Sequence, residues 1–169
     1  MNKILKNIFG VFHWLALFSF SLYGFVISKN GFDKMYILIT IIWLISLNLL
    51  MGECFWSYFI KKFSDMNYKM GSKINDLDDM TFDNSFLKNA LDKYGSIIFM
   101  VFFIIYSVSI FLVLRRNEYS LIFSLLLPVL LIGDINFLRM PPNDSLSYKA
   151  IKYSFLVLLI IDGITVMRN

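Results

Sequence analysis

Four ionisable side chains, His13, Glu53, Asp134 and Asp162, stand inside strongly apolar runs of this sequence. A charge at the centre of a lipid-crossing helix costs roughly 2.5–3.5 kcal/mol on insertion scales, so each of the four calls for a reason. Carboxylates held together in a low dielectric keep their protons more readily than in water, which suits a proton relay or a cation site. An imidazole at the same level would tune such a pair. The chemistry open to these residues is therefore the binding or passage of ions or protons.

The elements that must position them are helices. Of 169 residues, 58% are hydrophobic and only 17% charged, and the mean hydropathy is +0.67. Soluble domains have about 45–50% apolar and ~25% charged residues, so both departures point to lipid. About 20 apolar residues cross the ~30 Å of hydrocarbon. Runs at 7–28, 35–60, 95–114, 119–138 and 148–167 meet that length or come near it. The fifth is the weakest, because Lys149, Lys152 and Asp162 shorten its apolar centre. Continuous runs without alternation exclude barrel strands. The expected fold is all-α, an integral membrane bundle of four or five transmembrane helices forming one domain.

Lysines and arginines set the orientation. With five spans, the side holding the N-terminus and the 61–94 loop carries eleven of them, against five on the other side. The N-terminus is expected in the cytoplasm. The first run is longer than a signal-peptide core and no small-residue cleavage site follows it, so it reads as a retained helix. The net charge of +4 reflects basic flanks meeting lipid headgroups, not nucleic acid. One cysteine and one histidine argue against zinc sites with several such ligands, and no cofactor motif is present.

This topology gives the ionisable residues depths. At 1.5 Å per residue, His13, Glu53 and Asp134 sit roughly 6–10 Å below the same surface, on three different helices. Asp162 lies near the opposite, interfacial end. If 35–60 is one regular helix, Ser46, Glu53 and Ser57 fall within about 40° of one another at 100° per residue, with Asn48 on a neighbouring face. Pro128 frees a carbonyl within the fourth run and favours a kink before Gly133-Asp134. The candidate path is then Glu53, Asp134, His13, Ser57 and Asn48. A structural reading competes with it: Glu53 pairs with Lys61 snorkelling back, Asp134 pairs with Arg139, and His13 bonds a serine on a neighbouring helix.

In the 61–94 loop, Ser85 can cap a short helix bearing Phe86, Leu87, Ala90, Leu91 and Tyr94, expected to lie on the bilayer surface. The acidic cluster Asp76, Asp78, Asp79 and Asp83 fails the calcium-loop pattern, since Thr81 and Leu87 replace its glycine and bidentate glutamate. The sequon Asn143-Asp144-Ser145 falls on the expected cytoplasmic side.

His13-Trp14 early in the first run, followed by "LNLLMGECFWSYFIKK" closing the second, resembles a pattern in small uncharacterised multi-span membrane proteins of large DNA viruses and some microbes. The matching residues are Gly52, Glu53, Cys54, Ser57 and Lys61, within the first third of the chain. The resemblance implies no activity; it implies that the end of the second helix is a feature.

No arginine ladder, potassium-filter loop, paired haem histidines, Ser-His-Asp set or phosphate-cradling loop is present, so an enzyme is not expected. Two roles remain. The first is an oligomeric ion- or proton-conducting channel, a homo-oligomer because five short helices enclose little space. The second is a non-catalytic structural subunit of a larger membrane complex or virion membrane. A pore needs carboxylates that water reaches; a structural subunit keeps them dry and paired.

Overall fold

The computed structural model describes residues 3–49, 53–72, 85–138 and 145–168, apart from the side chains at 3–6, 56, 64, 85, 134, 136 and 138. Among the described residues there are six helices and no strand: α1 Lys3–Val26, α2 Asp33–Leu49, α3 Phe55–Ser64, α4 Ser85–Arg116, α5 Leu121–Leu138 and α6 Leu146–Arg168. Asn7–Val26, Phe86–Arg116 and Leu146–Arg168 are long and apolar enough to cross a membrane.

The long helices alternate in direction. The ends of α1, α4 and α6 meet the start of α2 at one end of the bundle, where Arg116 donates to the Ile27 carbonyl and Lys34 to that of Met167. α1 packs chiefly on α4, α4 on α5, and α2 on α6. The centre belongs to α2, whose Ile37, Ile41 and Leu44 meet Ile110, Val113 and Leu114 of α4, Leu127 and Leu131 of α5, and Leu159 and Val166 of α6. Towards the other end, Trp14 and Phe18 of α1 close on Phe99 and Phe102 of α4 through three ring contacts.

The caps are local. Asn30 Oδ1 accepts the Phe32 N–H at 2.8 Å just before α2, and Asp33 complements the positive end of that helix. Ser145 caps α6, accepting the Tyr148 N–H at 3.3 Å. α4 closes in a Schellman turn, with the Tyr119 N–H bonded to Leu114 O and the Glu118 N–H to Arg115 O. Glu118 takes the left-handed position of that turn, at φ 66°. α5 runs through Pro128 without interruption.

Two expectations are corrected. The run 35–60 is not one helix: α2 ends at Leu49, and Glu53 and Cys54 lie outside both α2 and α3. The surface helix expected at 85–94 is the first part of α4. At 1.5 Å per residue, the 31 residues of Phe86–Arg116 reach about 46 Å, well beyond ~30 Å of hydrocarbon, so the charged turn needs no separate helix.

Candidate functional site

Glu53 lies in the link between α2 and α3, where its own chain wraps it. Cys54 is extended at φ −63°, ψ 138°, and α3 starts at the next residue. Beyond α3 the chain turns back through Asp65–Tyr68, with the Tyr68 N–H bonded to Asp65 O at 2.9 Å. That turn lets the Tyr68 hydroxyl donate to Glu53 Oε1, while Lys61 Nζ lies 3.6 Å from the same oxygen. Glu53 is 2% exposed. Its second oxygen, Oε2, is buried and has no hydrogen-bond partner among the described residues. The pairing with Lys61 follows the structural reading of the sequence; Tyr68, fifteen residues away, is a partner the sequence reading missed.

The break also removes the expected polar stripe. Ser46 belongs to α2, where its hydroxyl donates to Trp43 O at 2.7 Å, and Ser57 belongs to α3. Asn48 is fully buried near the end of α2, with Nδ2 3.5 Å from Leu44 O. His13 meets Cys54 across a cavity of about 170 Å³, with Phe20, Ser21, Trp43, Phe103 and Tyr106 among its walls. The single histidine and single cysteine thus face one apolar space between α1, α2 and α4, beside Glu53. The Asp134 backbone is in α5, but its side chain lies outside the described residues, as do Gly52, Arg139, the acidic cluster 76–83 and Asn143-Asp144. Asp162 is 1% exposed on the α6 face that meets α2, and among the described residues its Oδ2 has no hydrogen-bond partner.

A second polar cluster joins residues that the sequence analysis did not single out. Asp33, 1% exposed, is gripped by Arg116 through Nε at 2.8 Å and through Nη2. Asn117 Nδ2 adds a bond of 2.6 Å and the Tyr23 hydroxyl one of 3.0 Å. Arg116 also lies over the Tyr23 ring, 5.5 Å from its centroid. Burial alone would raise the Asp33 carboxyl, but the donors on Arg116, Asn117 and Tyr23 outweigh it and hold it below the ordinary carboxylate value. The sequence signal was present in part: Asp33 and Arg116 bound apolar runs on the same expected side. Nothing in it paired positions 83 residues apart.

One turn deeper, hydroxyls bind α1, α2 and α4. The Tyr36 hydroxyl donates to Phe20 O at 3.0 Å and lies 2.9 Å from Ser109 Oγ, which accepts the Gly24 N–H at 2.8 Å. Thr40 Oγ1 donates to Tyr36 O at 2.9 Å and lies 2.7 Å from the Tyr106 hydroxyl. Small residues let helices approach closely enough for such bonds. Gly24 is the clearest case, because a Cβ there would come within 2.9 Å of the Ser109 carbonyl carbon.

Among the described residues no group of three or more His, Cys, Asp or Glu side chains is placed to hold a metal ion. Comparison with known proteins finds no matching family model, no similar curated protein and no similar solved structure.

Proposed function

We propose that this chain is a multi-pass integral membrane protein that serves as a non-catalytic structural subunit of a membrane assembly. Three apolar helices of sufficient length support its insertion. The observation that carries the choice of role is the state of Glu53. A conducting carboxylate has to be reached by water, whereas a packing carboxylate is kept dry and given partners. Glu53 is dry, and its Oε1 is shared by Tyr68 and Lys61 of the same chain. Asp33 is treated alike at the other end of the bundle. Phe12, Ile42, Ile122 and Val129 are exposed on three different helices and supply apolar surface for lipid and neighbouring chains.

The test is ion and proton flux through purified protein in liposomes, for the wild type and Glu53→Gln. The expected result is no flux from either, with the protein co-purifying in a larger complex from its native membrane. Flux through the wild type that Glu53→Gln abolishes, with folding intact, would overturn the proposal.

Proton conduction by a homo-oligomer is the second reading, favoured by one arrangement. Polar groups succeed one another along the seam of α1, α2 and α4, from Asp33 and Tyr23 through Tyr36, Ser109, Thr40 and Tyr106 to the cavity shared by His13 and Cys54. The same flux measurement, made with protons alone, decides for or against it.

A further inference from the structure

We infer that α3 is an in-plane membrane element, docked on the acyl-chain boundary of the bilayer by a phenylalanine ladder and not by its lysines. The inference rests on the membrane reading above. It starts from spacing: Phe55, Phe59 and Phe63 recur every four residues, so they share one face of the helix. The three rings run in series, with centroids 4.5 Å and then 6.2 Å apart. They are 45%, 38% and 73% exposed, and Met66, just beyond the helix, is 86% exposed. An apolar ladder of this size on a ten-residue helix needs a cover.

Its place in the chain says what that cover is. α3 follows the end of α2 by a few residues and rests on the start of α1, where Phe9 joins Phe55, Phe59, Ile60 and Phe63 around a wholly apolar crevice of about 210 Å³. The ladder thus continues the outward apolar surface of α1, which carries Ile8, Val11 and Phe12 in the next turns. A lipid surface already in contact with α1 extends over α3 without a new kind of partner.

The lysines are engaged elsewhere. Lys61 turns inward to Glu53, and Lys62 Nζ donates to Met66 O at 2.7 Å and to Tyr68 O at 3.2 Å. An amphipathic helix with lysines normally binds through attraction to anionic headgroups, with the salt dependence that this brings. Here those charges hold the 53–68 segment together, so docking depends on apolar burial and is nearly indifferent to headgroup charge.

The experiment is site-directed spin labelling of the full-length chain in a Cys54→Ser background, with single cysteines at Phe59, Phe63 and, as a reference on α4, Ile104. Accessibility to oxygen and to a water-soluble nickel chelate is measured in phosphatidylcholine vesicles, with and without phosphatidylglycerol, at low and high salt. The expected result is oxygen-accessible, nickel-protected labels at all three sites, unchanged by anionic lipid or salt. Nickel access at 59 and 63 with Ile104 protected would overturn the inference alone. Nickel access at Ile104 as well would overturn the membrane reading with it. Labels at 59 and 63 shielded from both reagents would show a protein cover, a second copy or another chain, and would also overturn it. Docking that deepens with phosphatidylglycerol would refute the assignment of the lysines.

Discussion

Arg116 and Asp33 form a two-pronged pair across 83 residues, tying the end of α4 to the start of α2, and the same guanidinium reaches Ile27 O, just beyond the end of α1. Three helix ends are held by one side chain. Replacing Arg116 by leucine leaves the buried Asp33 with Asn117 and Tyr23 alone. Losing one partner of a buried pair costs about 3–5 kcal/mol, and the partial exposure of Arg116 lowers the expectation here to about 2–3 kcal/mol. Arg116→Lys should recover only part of that, since an ammonium cannot reproduce the fork. Chemical unfolding in detergent micelles measures both.

Acid sensitivity should follow Asp33. Its carboxyl is held below the ordinary value when folded, so its contribution is fully present above about pH 4. That contribution is lost as pH falls through the lowered folded value. Thermal midpoints of the wild type should therefore decline more steeply below about pH 4 than those of Asp33→Asn, which lacks the linkage. Equal slopes would show that Asp33 is not held in this way.

Gly24→Ala should loosen the contact of α1 with α4. The added methyl would meet the Ser109 carbonyl in backbone that cannot move aside. Overpacking of this kind typically costs about 1–3 kcal/mol. A disulfide-trapping or protease-accessibility assay on α1 would report the loosening, whereas an unchanged thermal midpoint would exclude the close approach.

Glu118→Gly should stabilise the chain. Glu118 sits at a left-handed φ that costs a non-glycine residue roughly 1–2 kcal/mol, and its ion pair with Lys29, 3.9 Å long and exposed, offers little in return. Allowing for the greater freedom of glycine when unfolded, the net gain is about 0.5–1 kcal/mol. The thermal midpoint in micelles reads it directly.

Asp162→Leu should also stabilise. The carboxyl is buried on the α2-facing side of α6, near Leu159 and Val166, with one oxygen unpartnered among the described residues. Burying a polar group without its bonds costs roughly 1–3 kcal/mol by mutational measure, which leucine would not incur. A destabilised variant would show that the carboxyl supplies bonds or a fit that leucine cannot replace.

The helical character and the apolar runs of this protein were legible in its sequence, because hydropathy is a property of each run and does not depend on its neighbours. α1, α5 and α6 fall close to the runs that composition marks out, whereas α4 starts well before its run, at Ser85. The candidate site was legible only in part. Glu53 stood out as a carboxylate in an apolar run, and Lys61, eight residues on, was within reach of local reasoning. Regular helical geometry then misplaced Ser46 and Ser57, since the run they share is divided between α2 and α3.

What only the tertiary structure decided are the pairings that cross the chain. Tyr68 returns to Glu53 because a turn after α3 brings it back; Arg116 reaches Asp33 because two helix ends share one end of the bundle; His13 and Cys54 face one cavity because α1 and α2 both pack beside α4. A sequence specifies which groups are costly to leave alone in an apolar setting, since that cost belongs to the residue. It does not specify the partner that satisfies each one, because the partner is chosen by the distances that packing brings about.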